Sequence, residues 1–146
     1  TALRLASSFG GGMGRLREVC GREIWHTLPD VEPIGPKKLL DLLILAPCTG
    51  NTLGKLAYAI TDTAVTMAAK AQLRNGRPVL LAISTNDGLS QSAKNIGALM
   101  PVQNVFFVPF RQDDPVGKPS SLVADLEKLP LAAQMALNGH KIECMF

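Results

Sequence analysis

The sequence predicts an α/β domain built around a parallel sheet, on three observations. Residues 41–46, 79–84 and 105–108 form short, largely apolar runs, segments of helical period separate them, and each run ends near a polar turn. A strand covered on both faces reads as an unbroken apolar run rather than an alternation. Strands that alternate with helices imply right-handed β-α-β crossovers and a parallel sheet.

In chain order, residues 1–8 read as the remnant of a strand and Phe9-Gly10-Gly11-Gly12-Met13-Gly14 as a flexible glycine loop. The loop lacks the Gly-Lys-Ser/Thr ending of a phosphate loop, and G-x-G-x-x-G does not follow a clear strand. Residues 15–25 form a short helix with Leu16, Val19 and Cys20 on one side. Pro29, Pro33 and Pro36 then forbid a regular helix through the linker to Lys38. After the first buried strand, 41–46, a helix over 51–60 places Leu53, Leu56, Ala57 and Ile60 on one face. Thr61-Asp62-Thr63 caps a second helix, 64–73, which the turn at 74–78 ends. The strand 79–84 leads into Thr85-Asn86-Asp87-Gly88, and the helix 90–100 packs through Ala93, Ile96 and Gly97. A third strand, 105–108, precedes a loop rich in Pro and Ser. A final helix around 131–137 stops at Asn138-Gly139.

At 146 residues the chain is expected to be one domain, 1–146. A hydrophobic content of 47% against 18% charged residues predicts a soluble globular protein rather than a disordered one. The +3 charge is dispersed, with no basic stripe and interleaved aromatics, so nucleic-acid binding is rejected. Cys20, Cys48 and Cys144 have no metal-ligand spacing and are odd in number, so neither a zinc site nor a disulfide framework is expected. A reducing, cytoplasmic setting fits that usage. No apolar run approaches the ~20 residues of a membrane helix, and no signal peptide is recognisable. Because the chain starts at Thr1, it is expected to be a piece of a longer protein.

In an open parallel sheet, ligands bind beyond the carboxyl ends of the strands. That rule brings three turns to one edge: Thr49-Gly50-Asn51-Thr52, Ser84-Thr85-Asn86-Asp87 and Gln112-Asp113-Asp114. Their amides, hydroxyls and N–H groups can hydrogen-bond a flat heteroaromatic ring, and Gly50 would let such a ring approach the backbone. The alternative for each is structural: Asn51 or Thr52 caps a helix, and the other turns are only turns. Cys48 is expected to be an inert buried thiol. His26 and His140 have no partnered Ser or Cys, so a hydrolase triad is not supported. Asp113 and Asp114 can hold a cationic or metal-bound substrate or form a solvated turn, and Lys118 is either a carboxylate anchor or a surface charge.

The string Ala46-Pro47-Cys48-Thr49-Gly50-Asn51-Thr52-Leu53-Gly54-Lys55-Leu56-Ala57 resembles the Pro-Ala-Ser-Ala-Asn-Thr-x-x-Lys-x-Ala motif of the homo-oligomeric flavin-containing cysteine decarboxylases. Ser84-Thr85-Asn86 resembles that family's Met-Asn turn. Glu32-Pro33-Ile34-Gly35-Pro36-Lys37, Met67-Ala68-Ala69-Lys70 and Phe107-Val108-Pro109-Phe110-Arg111-Gln112-Asp113-Asp114-Pro115 narrow the likeness to the dipicolinate synthase B subunits within it.

The resemblance implies a flavodoxin-like, three-layer α/β/α fold carrying FMN. It also implies a homo-oligomer, a partner A subunit, and oxidation of a dihydro- or tetrahydrodipicolinate to dipicolinic acid during sporulation. Thr49, Gly50, Asn51 and Thr52 would then line one wall of the flavin, and Ser84, Thr85 and Asn86 the other. Gln112, Asp113 and Lys118 would lie on the substrate side. No catalytic residue and no metal ligand is assigned.

Two departures accompany the resemblance. Glu32-Pro33 stands where the decarboxylases carry their His, so cysteine decarboxylation is not inherited. The family's first βα unit, with its Gly-x-Thr-Gly-Ser phosphate turn, is expected to precede Thr1. The competing expectation is a non-redox scaffold that holds the A subunit. A nicotinamide-binding Rossmann domain ranks last, for want of the glycine fingerprint.

Overall fold

The structure, a computed structural model, describes residues 13–142. The segment 1–8, most of the glycine loop and Cys144 therefore lie outside the described residues. The elements run α1 (Met13–Cys20), α2 (Leu28–Val31), α3 (Ile34–Lys37), β1 (Leu43–Thr49), α4 (Gly50–Ala57), α5 (Ala64–Arg74), β2 (Val79–Thr85), α6 (Ala93–Leu99), β3 (Val105–Phe107), β4 (Phe110–Arg111), β5 (Leu122–Ala124) and α7 (Leu129–Leu137), with a 3-10 turn at Leu126–Lys128.

β2 is the centre of the sheet, and its residues 79–83 are all buried because both faces are covered. Val79, Leu81 and Ile83 join one cluster with Ile34, Leu53, Ala68 and Ile96. Leu80 and Ala82 join another with Phe106, Val108, Ala132 and Ala136. β1 and β3 lie parallel to β2, as expected. The sheet is nevertheless mixed: β5 runs antiparallel to the last residues of β2, pairing Thr85 with Leu122, and β4 pairs with β5. The expected parallel sheet is thus present in β1, β2 and β3, and the loop rich in Pro and Ser expected after β3 additionally holds the short antiparallel strands β4 and β5. β4 and β5 each bury a single residue and carry too little apolar pattern to be read without their partners, unlike the equally short but fully buried β3.

β1 also departs from the expected doubly covered strand. Its burial alternates, and Ile44 remains 38% exposed among the described residues. The register with β2 shifts between Leu45 and Cys48, so Ala46 and Pro47 together oppose a single residue. This bulge suits a proline, which has no N–H for the ladder. It rephases the strand, so that Leu43, Leu45 and Cys48 face the core while Thr49 leaves it.

The helices differ from expectation mainly at their ends. Residues 28–37 hold two short helices despite their prolines, because Pro29 occupies the first turn of α2, where its missing N–H costs nothing. Thr27 and Asp30 close a reciprocal capping box there. α1 ends at Cys20 rather than at Trp25. α6 buries Ile96 and Leu99, whereas Ala93 and Gly97 are exposed. α5 starts at the expected Thr63 cap and lays Ala64, Ala68, Ala69 and Ala71 against the sheet.

Polar fasteners tie the approach to β1 to its neighbours and the end of α4 to the next loop. The Arg77 guanidinium donates to the Leu40 and Lys38 carbonyls and sits 3.2 Å from Asp41. Gln72, fully buried, donates to the Leu40 carbonyl at 3.1 Å. Lys55 grips both oxygens of Asp62 at 2.8 and 2.9 Å, fixing the end of α4 to the loop before α5.

Candidate functional site

β1 and β2 end side by side, Thr49 opposite Ser84, and a cleft of about 520 Å³ opens beyond them. Gly50, Asn51 and Tyr58 form its α4 wall, Thr85, Asn86 and Asp87 the wall at the end of β2, and Gln91, Ser92, Lys94 and Asn95 the side toward α6. That volume falls within the roughly 300–1,000 Å³ range of small-molecule sites.

The first turn of α4 is organised by Thr49, not by Asn51 or Thr52. Its hydroxyl oxygen accepts from the Thr52 N–H at 3.4 Å, satisfying one of the N–H groups that a helix start leaves open. The Thr49 hydroxyl also contacts the Thr52 hydroxyl at 3.3 Å. Asn51 is thereby left without a side-chain partner among the described residues and lines the cleft. Of the seven residues expected to hold a ring, Gly50, Asn51, Thr85 and Asn86 line the cleft. Thr49 and Thr52 form the cap, and Ser84 pairs with Val123 in the sheet.

The opposite wall is built on Asp87. Its Oδ1 accepts from the Thr85 hydroxyl at 2.5 Å and from the Ser92 hydroxyl at 2.8 Å. These two bonds, Thr85's first, hold the Asp87 carboxyl below the usual carboxylate range. Gly50 packs directly on this cluster: a Cβ there would meet Thr85 Oγ1 at 2.6 Å and Asp87 Oδ1 and Ser92 Oγ at 3.3 Å. The missing Cβ thus lets the two walls approach each other, a role distinct from the ligand approach expected from sequence.

Gln112, Asp113 and Lys118 lie elsewhere, on the hairpin loop between β4 and β5. Gln112 Nε2 donates to the Pro119 carbonyl at 2.7 Å, and Lys118 Nζ lies 3.6 Å from Asp113. The Ser121 hydroxyl, then Lys118, holds the Asp113 carboxyl below its ordinary value. The loop leaves the same edge of the sheet and is tied to the turn after β2 by the Leu89 N–H to Ser120 carbonyl bond, yet none of the three residues lines the cleft.

Cys48 is fully buried, and burial pushes its thiol up to about 12, which keeps this side chain a thiol rather than a thiolate nucleophile at neutral pH. Glu32 is exposed at the end of α2, outside the cleft lining. Tyr58, Gln91, Lys94 and Asn95 were not expected from sequence. Tyr58 follows Asn51 by two helical turns, a spacing that keeps both on one face, whereas the other three depend on how α6 meets α4. Lys94 is the cation of the lining and has no ion pair among the described residues.

The described residues contain no group of three metal-ligating side chains and no helix long and apolar enough to cross a membrane. A family model described as Flavoprotein matches residues 2–133. The chain is 45% identical over 138 residues to the B subunit of dipicolinate synthase from Bacillus subtilis (strain 168), covering 92% of this chain and 69% of that one. The crystal structure of the dipicolinate synthase B subunit from Bacillus halodurans C superposes with a TM-score of 0.88 at 42% identity, covering 95% of this chain and 73% of that one. The FMN-dependent cysteine decarboxylase SpaF matches with a TM-score of 0.66 at 19% identity, covering 87% and 73%. At that identity the likeness is one of fold.

Proposed function

The chain belongs to the flavoprotein family and is a homologue of the dipicolinate synthase B subunits, and from that premise we propose that it carries FMN in the cleft between α4 and the turn after β2. The observation that carries this reading is the cleft itself. It is several hundred cubic ångströms in volume and lined by the amides of Asn51, Asn86, Gln91 and Asn95, none of which has a side-chain partner among the described residues. Those amides, with the Thr85 hydroxyl, are the donors and acceptors that the edge of a flavin ring requires.

The reaction in this reading is oxidation of a dihydro- or tetrahydrodipicolinate to dipicolinic acid, during sporulation and in the cytoplasm. An A subunit is the partner, and residues 1–146 act as one domain of a homo-oligomer. Each oxidation removes a hydride and a proton from the ring, and a flavin supplies the two-electron acceptor. The chain's own part is to bind and orient. Asn51 and Asn86 hold the flavin ring, and Lys94 offers a positive charge to a ring carboxylate, the role considered for Lys118 from sequence. Cysteine decarboxylation is not proposed, because Glu32-Pro33 replaces the expected His.

The test is a titration of the full-length protein with FMN, followed by flavin fluorescence, alongside the Asn51→Ala, Asn86→Ala double variant. Saturable binding that the double variant weakens supports the reading; a protein that takes up no FMN opposes it. A non-redox scaffold is the second reading, favoured by one observation: the cleft's carboxylate, Asp87, already accepts hydrogen bonds from two hydroxyls on one oxygen and so makes a poor base. Full synthase activity of the double variant together with the A subunit would support that alternative.

A further inference from the structure

Asp87 has no role in the reading above, yet it fixes the hydrogen-bond polarity of the wall on which that reading depends. An ionised carboxylate only accepts, and a hydroxyl has one proton to give. Thr85 and Ser92 therefore both donate to the same Asp87 oxygen, at 2.5 and 2.8 Å. With its proton committed, each hydroxyl can offer only lone pairs to a third group. Both residues line the cleft, but Ser92 is 4% exposed whereas Thr85 is half-buried, so Thr85 is the more accessible of the two to an incoming ligand. The arrangement has little freedom to turn over. Thr85 is β-branched and stiff at its first torsion, and Gly50 packs against the three oxygens from the other wall.

We infer that Asp87 is a positioning residue that makes Thr85 Oγ1 an obligate acceptor, so that the cleft selects a ligand edge carrying a ring N–H. Flanking carbonyls on such an edge would suit the amide groups of Asn51 and Asn86. A cyclic imide has this pattern of acceptor, donor and acceptor. The inference rests on the flavin reading, since the pyrimidine edge of a flavin is such an imide. It adds which side chain takes the imide proton and which residue enforces that choice.

The test compares FMN with 3-methyl-FMN, in which the imide proton is replaced, in binding to the full-length wild type and to Thr85→Ser, Thr85→Val and Asp87→Ala. Thermal melts establish that each variant is folded. Wild type and Thr85→Ser are expected to prefer FMN by about tenfold or more, because a site built to hydrogen-bond a group rejects the analogue lacking it. In Thr85→Val, which keeps the shape and loses the oxygen, the preference should fall below about threefold. Asp87→Ala, which frees the hydroxyl protons, should reduce it in the same direction, and a preference unchanged in the folded variant overturns the role given to Asp87; if Asp87→Ala does not fold, Asp87→Asn, whose amide can donate to the hydroxyls, is read in the same way. A preference that persists undiminished in Thr85→Val reports exclusion by shape and overturns the inference. Equal binding of both flavins to the wild type overturns it while leaving the flavin reading intact. Absence of binding by either flavin overturns both.

Discussion

The cleft beyond β1 and β2 and the hairpin loop between β4 and β5 leave the same edge of the sheet with similarly polar residues, but they use those residues differently. In the hairpin, Gln112 is bound to Pro119, Asp114 accepts from the Gly117 N–H at 2.8 Å, and Asp113 is engaged by Ser121 and Lys118. In the cleft, Asn51, Asn86, Gln91, Lys94 and Asn95 have no side-chain partner among the described residues, while Asp87 binds the Thr85 and Ser92 hydroxyls behind them. A loop that satisfies its own polar groups gains a fixed shape and has little left to offer a ligand. A wall that is rigid behind and unpaired in front is suited to recognition.

Substitutions at the two places should therefore separate stability from binding. The largest effect is expected for Gly50→Val. Its Cβ would stand 2.6 Å from Thr85 Oγ1, so the walls must part. Denaturant unfolding should show a loss of about 1–3 kcal/mol, as overpacking does, and FMN titration a fall in affinity of about 100-fold or more. Asn51→Ala with Asn86→Ala should weaken FMN binding by roughly 10- to 100-fold while stability stays within about 0.5 kcal/mol, since both side chains are exposed. Gln112→Ala should do the reverse, costing about 1 kcal/mol in unfolding experiments and leaving FMN affinity within about twofold. Equal effects on binding from Gln112→Ala and the cleft variant would end the distinction between the two loops.

The smallest effect is one of pH. The Asp87 and Asp113 carboxyls are both held below their ordinary value in the folded protein. Their contribution is present above the unfolded carboxylate range and is lost as pH falls through the lower folded values, so it changes only below about pH 5. Acid unfolding curves should show Asp87→Asn and Asp113→Asn each flattening that limb, with no change in slope between pH 6 and 8.

The same contrast marks how far the sequence could be read. β2 was legible because Val79, Leu80, Leu81, Ala82 and Ile83 are buried on both faces and need no partner to reveal them. β1 was half legible: its apolar run is plain, but the shift at Ala46 and Pro47 that buries Cys48 and frees Thr49 is a matter of register with β2. β4 and β5 were invisible, since pairs such as Phe110 with Ala124 exist only through tertiary contact. At the site, Asn51, Thr85 and Asn86 were legible from turn chemistry at strand ends. Gln91, Lys94 and Asn95 were not, because nothing local says that the segment before and into α6 folds back toward α4. Lys118 could be read from sequence as a carboxylate anchor or a surface charge; the structure puts it on the β4–β5 loop, 3.6 Å from Asp113 and outside the cleft lining, which holds Lys94 instead.

The most direct test of the central claim is the absorption spectrum of the purified full-length protein with FMN and the proposed A subunit, recorded without oxygen before and after addition of dihydrodipicolinate. The visible flavin bands are predicted to bleach as about one equivalent of dipicolinic acid forms per flavin, as expected of a two-electron acceptor. Dipicolinic acid formed while the flavin bands remain, or by protein that holds no flavin, would contradict that claim.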